Sequence, residues 1–191
     1  MSLLKNERRA ILVAVAGPSC SGKTSVSWII STRLGATLLH LDKHWVANAE
    51  RPLVNGYPSR EQPHQYDGLG LMKEADTLLD GSHDVLAEGF LLLTYPEIRA
   101  RADYTFFISV PHEVLAERRR ARSLAGGNVV WTNRQGVTES RVDTGWQVHG
   151  QQEWETWGAS QAQIPGVIIL DGTRTTEDLA LDILTHIKIP V

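Results

Sequence analysis

Eight residues, GPSCSGKT from Gly17 to Thr24, constrain this chain more than any other stretch. Their spacing, G-x-x-x-x-G-K-[ST], is that of a loop whose backbone N–H groups wrap a phosphate. Such a loop works only where a buried strand delivers the chain into it and a helix carries the chain away. Both flanks meet that demand. Ala10 to Ala16 (AILVAVA) is a short continuous apolar run with β-branched members, the pattern of a strand buried on both faces. Lys23 to Leu34 places Val26, Ile29, Ile30 and Leu34 at helical spacing, and Gly35 ends the run. The N-terminal end of that helix adds its positive dipole to the loop. Gly17, Ser19, Cys20, Ser21, Gly22, Lys23, Thr24 and Ser25 are therefore the expected nucleotide-binding residues, with Lys23 reaching the β and γ phosphates and Thr24 offering its hydroxyl to Mg²⁺.

The rest of the chain repeats the alternation. Ala36–Leu41, Asp84–Glu88, Tyr104–Val110 and Gly166–Leu170 read as further buried strands, separated by helical patterns at 69–79, 96–101, 111–124 and 176–187. Strands too far apart for hairpins and separated by helices predict one α/β domain: a five-stranded parallel sheet with helices on both faces. A length of 191 residues suits a single domain. Two stretches resist regular assignment. Asp42 to Asp67 carries three prolines, and a connection of that length in a compact domain is expected to be functional. Ala125 to Ile164 is rich in Gly, Gln and Trp; a helical part around 137–157 and a mobile lid over roughly 118–150 are expected there.

Composition narrows the partners. The formal net charge of −3 provides no broad basic field for nucleic acid, so cationic chemistry has to be local. A lone cysteine, Cys20, allows neither an internal disulfide nor a cysteine-built metal site and fits a reducing, cytoplasmic setting. No segment approaches the roughly 20 apolar residues of a membrane span. A soluble protein, monomeric or homodimeric, acting on a small molecule is the expectation.

Several residues look placed for phosphoryl chemistry. Asp42 follows directly on the second strand, and the carboxyl ends of parallel strands are where open sheets put their sites. It can accept the proton of an attacking hydroxyl; alone, an aspartate there also serves to start a loop or cap a helix. Glu88 ends the apolar run VLAE, where an acid can hold Mg²⁺. Arg118, Arg119, Arg120 and Arg122 crowd one helix behind Leu115, an apolar root with a cationic end suited to charge developing on a transferred phosphoryl group. A solvated basic face is the competing reading. Tyr66 and Asp67 close the long connection, an aromatic face beside a carboxylate that can receive a base and a vicinal diol, although Asp67 can equally cap the helix that begins at Gly68.

Taken together, GPSCSGKT, Asp42, QYD, EGFLLL, the RRRAR helix and IILDGT resemble the uridine kinase-like branch of the P-loop kinases, and within it the nicotinamide riboside kinases. The resemblance runs from Ile11 to about Ile183 in the same order. It implies ATP- and Mg²⁺-dependent phosphorylation of a ribosyl 5′-hydroxyl, with nicotinamide riboside as the acceptor and uridine, cytidine or another small alcohol as alternatives. By position it implies Asp42 as base, Lys23 at the phosphates, Thr24 and Glu88 around the metal, and Tyr66 with Asp67 at the nucleoside. Arg119 falls at the substrate, Arg118 or Arg122 at the phosphates, and Thr173 with Arg174 near the donor adenine. The chain departs from the family where Lys43-His44-Trp45 follows Asp42 in place of a second acid and an aromatic, and where SLAGGNVVWTNRQG replaces a Tyr- and Pro-rich segment, leaving Trp131 or Trp45 as candidate second aromatics. A nucleotide-hydrolysing switch is the second class: Asp67 to Gly70 fits D-x-x-G, but polar residues precede it and no N-K-x-D motif occurs. A non-catalytic nucleotide-binding module is the third.

Overall fold

The computed structural model describes residues 8–54, 57–59, 61–125, 130–132, 138–140 and 157–187. Its centre is a five-stranded sheet built from β1 (Leu12–Ala16), β2 (Thr37–His40), β5 (Val85–Gly89), β6 (Tyr104–Ser109) and β9 (Ile168–Asp171), ordered β2-β5-β1-β6-β9 and parallel throughout. The five strands expected from the apolar runs are all present, with ends within two residues of the expected ones: β1, β2 and β6 are shorter, whereas β5 and β9 start later and run one residue further, to Gly89 and Asp171. β1 lies between β5 and β6 in the middle of the sheet, which is why its five residues are all buried and all Leu, Val or Ala.

Side chains alternate between the two faces of a strand, so each strand feeds two cores. On one side Leu12, Ala14, Ala16, Leu39, Val85, Ala87 and Phe107 pack with Leu71, Met72, Ala75 and Leu79 of α2 (Gly68–Asp80) and Ile98 of α3 (Pro96–Arg101). On the other, Val13, Val15, Leu86, Phe106 and Ile108 meet Val26 and Ile30 of α1 (Lys23–Leu34), Leu115 of α4 (His112–Ala125), and Leu179, Ile183, Leu184 and Ile187 of α6 (Thr176–Ile187). Helices thus cover both faces. α1 matches its expected span at both ends, and Gly35 closes it in the left-handed conformation (φ 65°).

The long connection from Asp42 to Asp67 is folded on itself. It carries a short antiparallel pair, β3 (Leu53–Val54) with β4 (Tyr57–Pro58), and a 3₁₀ turn at Pro63–Gln65. The buried side-chain amide of Gln65 donates to the carbonyls of Glu50 and Ser59, both at 3.0 Å, and so acts as the polar core of the loop. The ends are tied: Trp45 and Tyr66 form a β-bridge, and the N–H of Asp67 donates to the carbonyl of His44 at 2.7 Å.

One expectation is corrected. Thr138–Ser140, at the start of the stretch read as helical over 137–157, is strand β8 and pairs antiparallel with β7 (Val130–Thr132). β-Branched Val130, Thr132 and Thr138 in both segments favour extended backbone. The remainder of that stretch up to 156 lies outside the described residues, and with it most of the expected lid. The next described helix is the short α5 (Ala159–Ala162).

Candidate active site

β1, β2 and β5 all point their carboxyl ends at one edge of the sheet, and the loop after β1 crosses that edge. The loop achieves its turn with two left-handed residues. Gly22 (φ 91°) adopts this conformation without penalty, whereas Cys20 (φ 69°) does so as an L-residue, a strain on the order of 1–2 kcal/mol. Such strain persists where surrounding contacts over-determine the backbone. Here the N–H of Ser21 donates to the carbonyl of Pro18 at 3.1 Å, and the buried Ser21 hydroxyl accepts from the N–H of Lys23 at 3.4 Å. Gly17 is buried beneath the loop, Ser19 and Cys20 are half-buried on it, and Thr24 and Ser25 stand exposed on the first turn of α1. No acidic residue occupies that first turn, so the helix dipole is left for an anion.

Beside the loop, Glu88 is almost wholly buried, 3% exposed, at the penultimate position of β5. A buried carboxylate needs partners, and it has two. The Thr24 hydroxyl donates to Oε2 at 3.2 Å, and His40 Nδ1 lies 2.7 Å from Oε1. The second contact follows from register, since His40 and Glu88 are paired residues of adjacent parallel strands and project to the same face. The pairing of Thr24 with Glu88 is the one expected of a hydroxyl and an acid around a divalent cation. Among the described residues no group of three or more His, Cys, Asp or Glu could hold a metal ion. That donor set fits a magnesium-like ion, which takes one or two protein oxygens and completes its shell with water and phosphate oxygens.

Asp42 sits exposed in the 3₁₀ turn Leu41–Lys43 that follows β2. The turn is pressed against β5: a Cβ built on Gly89 would come within 2.6 Å of Leu41 Cβ, so only glycine lets the two strand ends approach this closely. A pocket gathers Ser19, Lys23, Leu41, Asp42, Glu61, Tyr66, Phe90 and Leu91. It therefore joins the lysine of the glycine-rich loop, the candidate base and the aromatic of the long connection, three residues spread over 44 positions of the chain.

Tyr66 is half-buried and held from two sides. Trp45 meets it edge-on with ring centroids 5.2 Å apart, and Arg51 stacks over Trp45 at 4.9 Å from the ring centroid. Tyr95 donates its hydroxyl to the carbonyl of Pro63 at 2.6 Å and lies 3.3 Å from that of Tyr66. Burial, with the Asp67 charge adding to it, raises the Tyr95 phenol to about 12. Asp67 is the N-cap of α2, its Oδ1 accepting from the N–H of Gly70 at 2.7 Å. His44 pairs with Glu74 on the same helix at 3.3 Å, while Lys43 points to solvent.

On α4, Arg118 and Arg119 are half-buried and Arg120 and Arg122 exposed. Arg122 reaches the phosphate loop, its Nη1 4.0 Å from Cys20 Sγ. Thr173 and Arg174 lie exposed in the turn after β9. Asp171 Oδ1 accepts from the Thr173 hydroxyl at 2.7 Å and from its N–H at 3.0 Å, contacts that hold the carboxyl below its ordinary range, and Arg174 pairs with Asp182. This turn comes to the far side of the phosphate loop, where Thr176 Cγ2 lies 3.8 Å from the position a Cβ on Gly22 would take.

Three participants were not legible as site residues. His40 left a trace, a polar residue interrupting ATLLHL. Phe90 was hidden inside an apolar run, and Glu61 gave no signal because its approach to Asp42 depends on how the long connection folds back. Of the two candidate second aromatics, Trp45 meets Tyr66 edge to face and is not among the residues lining the pocket, where Phe90 is the other ring; the side chain of Trp131 lies outside the described residues.

No family model matches the chain. It is 26% identical over 152 residues to the uridine kinase of Shewanella baltica, a match spanning 63% of this chain and 72% of that one. Among solved structures, an unliganded sugar kinase from a Janibacter species superposes with a TM-score of 0.63 at 20% identity, covering 94% of this chain and 95% of the other. A gluconokinase of Sinorhizobium meliloti gives 0.57 at 16% identity over 95% of both chains. The shikimate kinase of Aquifex aeolicus gives 0.51 at 16% identity over 93% and 96%. The chain shares its fold with these three kinases.

Proposed function

We propose that the protein transfers the γ-phosphoryl group of ATP to a hydroxyl of a small polar acceptor, and that the acceptor is a ribosyl nucleoside, nicotinamide riboside before uridine or cytidine. One observation carries the reading. Lys23, Asp42 and Tyr66 line a single pocket, so a phosphate grip, a proton acceptor and an aromatic surface converge on one small volume. A hydrolase needs only the first and a positioned water. The uridine kinase similarity over most of the chain supports a nucleoside acceptor.

In this reading Lys23 and the loop N–H groups hold the transferring phosphate, and Asp42 takes the proton of the attacking hydroxyl. Thr24 and Glu88 are the side chains that would hold a Mg²⁺ bound with the nucleotide, and such an ion would offset charge on the phosphate oxygens. Arg122, with Arg118, brings positive charge over the loop. Tyr66 receives the base, Arg119 borders the acceptor, and Thr173 with Arg174 borders the adenine. Asp67 binds ribose hydroxyls through Oδ2, its Oδ1 being committed to the cap of α2.

The test is ADP release measured with ATP and Mg²⁺ in the presence of nicotinamide riboside, uridine, cytidine, gluconate or no acceptor. Release with a nucleoside and not without it supports the proposal. Release with gluconate alone replaces the nucleoside by a sugar acid, and release without acceptor replaces transfer by hydrolysis. Asp42→Asn is expected to lower turnover by roughly 10²–10⁴-fold with ATP affinity unchanged; full activity would remove Asp42 as the base.

A further inference from the structure

The mechanism above leaves one buried contact unused, that of His40 with Glu88. His40 ends β2, its side chain 23% exposed, and Glu88 lies directly opposite on β5. A carboxylate accepts at both oxygens and never donates, so the imidazole presents Nδ1–H to Oε1 and the Thr24 hydroxyl presents its proton to Oε2. The hydroxyl's lone pairs are then turned away from the acid. Without the imidazole, Glu88 would keep one partner and gain a free rotation about its terminal bond within a pocket that admits almost no solvent.

We infer that His40 is a positioning residue for the cation site: by fixing Oε1 it sets the direction of Oε2, and through it the orientation of the Thr24 hydroxyl. The inference deepens the proposed kinase reading and rests on it for the identity of the bound species. His40 touches neither nucleotide nor acceptor. It acts through Glu88 alone, as the outer partners of metal-holding carboxylates do, whose loss costs about 10–100-fold in metal affinity. The position of His40 two residues before Asp42 on the same strand end also means that one short segment serves both sides of the transfer: one residue orients the acid beside the phosphate loop, the other faces the acceptor pocket.

The experiment is calorimetric titration of the intact chain with ATP, once with Mg²⁺ and once with EDTA, for the unmodified protein, His40→Ala and His40→Asn. Asparagine keeps an N–H donor near the place of Nδ1. The expected result is that His40→Ala loses about tenfold or more in ATP affinity with Mg²⁺ and stays within about twofold with EDTA, while His40→Asn stays within about threefold in both. Three results would overturn the inference: unchanged Mg²⁺-dependent affinity in His40→Ala, equal losses with and without Mg²⁺, or no recovery in His40→Asn. Binding of Mg²⁺ and ATP without transfer to any acceptor would defeat the proposed reaction and leave the His40 result to stand or fall by itself. Absence of ATP binding in the unmodified protein would defeat both.

Discussion

Tyr95 shows how one side chain fixes the end of the long connection. Its ring packs beneath Gly68, where a Cβ would come within 2.4 Å of it, and its hydroxyl holds the carbonyl of Pro63. The phenol's value of about 12 lies above the ordinary 10.0, so the folded state keeps this proton more tightly than the unfolded chain does. The stabilisation linked to it is complete below pH 10 and is lost as pH rises toward 12. Denaturant midpoints followed across that window should fall in the unmodified protein and fall less in Tyr95→Phe, which is itself about 1 kcal/mol less stable at neutral pH for the missing hydrogen bond. Identical slopes would show that Tyr95 does not govern the window. None of this was visible in TYPEIR, where Tyr95 reads only as the residue before a helix-starting proline.

At the scale of elements, the short helix α5 does more than its four residues suggest. Gln161 is 1% exposed, and its side-chain amide satisfies three backbone groups: Oε1 accepts from the N–H of Leu93 at 2.9 Å, and Nε2 donates to the carbonyls of Phe90 at 2.8 Å and Trp157 at 3.0 Å. It therefore stitches α5 onto the segment after β5, two residues of which, Phe90 and Leu91, line the pocket. Gln161→Leu fills similar space but leaves buried backbone groups unpaired, at a cost of about 2–4 kcal/mol. A fall in thermal midpoint of several degrees with a raised acceptor KM is expected; an unchanged midpoint would show that the groups find other partners. The main helices and strands were readable because periodicity records which face each buries. Gln161 was not, because an amide serving distant carbonyls leaves no periodic mark. Asp67 stood between a cap and a ribose ligand in the sequence, and its bond to Gly70 establishes the cap.

For the whole molecule, the contact of Arg122 with Cys20 joins residues 102 positions apart and brings the far end of α4 over the phosphate loop. Arg122 is exposed, so Arg122→Ala should leave the thermal midpoint within about a degree, in line with the small cost of surface substitutions. Turnover should drop by roughly 10²-fold, as expected when one donor to a developing charge is removed. A variant with full turnover would return α4 to the status of a solvated basic face. No helix among the described residues is long and apolar enough to cross a membrane.

By itself the sequence determined the phosphate loop, the alternation of five buried strands with helices, and the positions of Asp42 and Glu88 at strand ends. These are local or periodic properties, written in spacing, in glycine placement and in which side chains avoid water. Only the tertiary structure decided that β1 lies between β5 and β6, that His40 stands against Glu88, and that Lys23, Asp42 and Tyr66 share one pocket. Strand order and the path of the long connection arise from packing between segments far apart in the chain, and such pairings leave no trace in the spacing of any one of them.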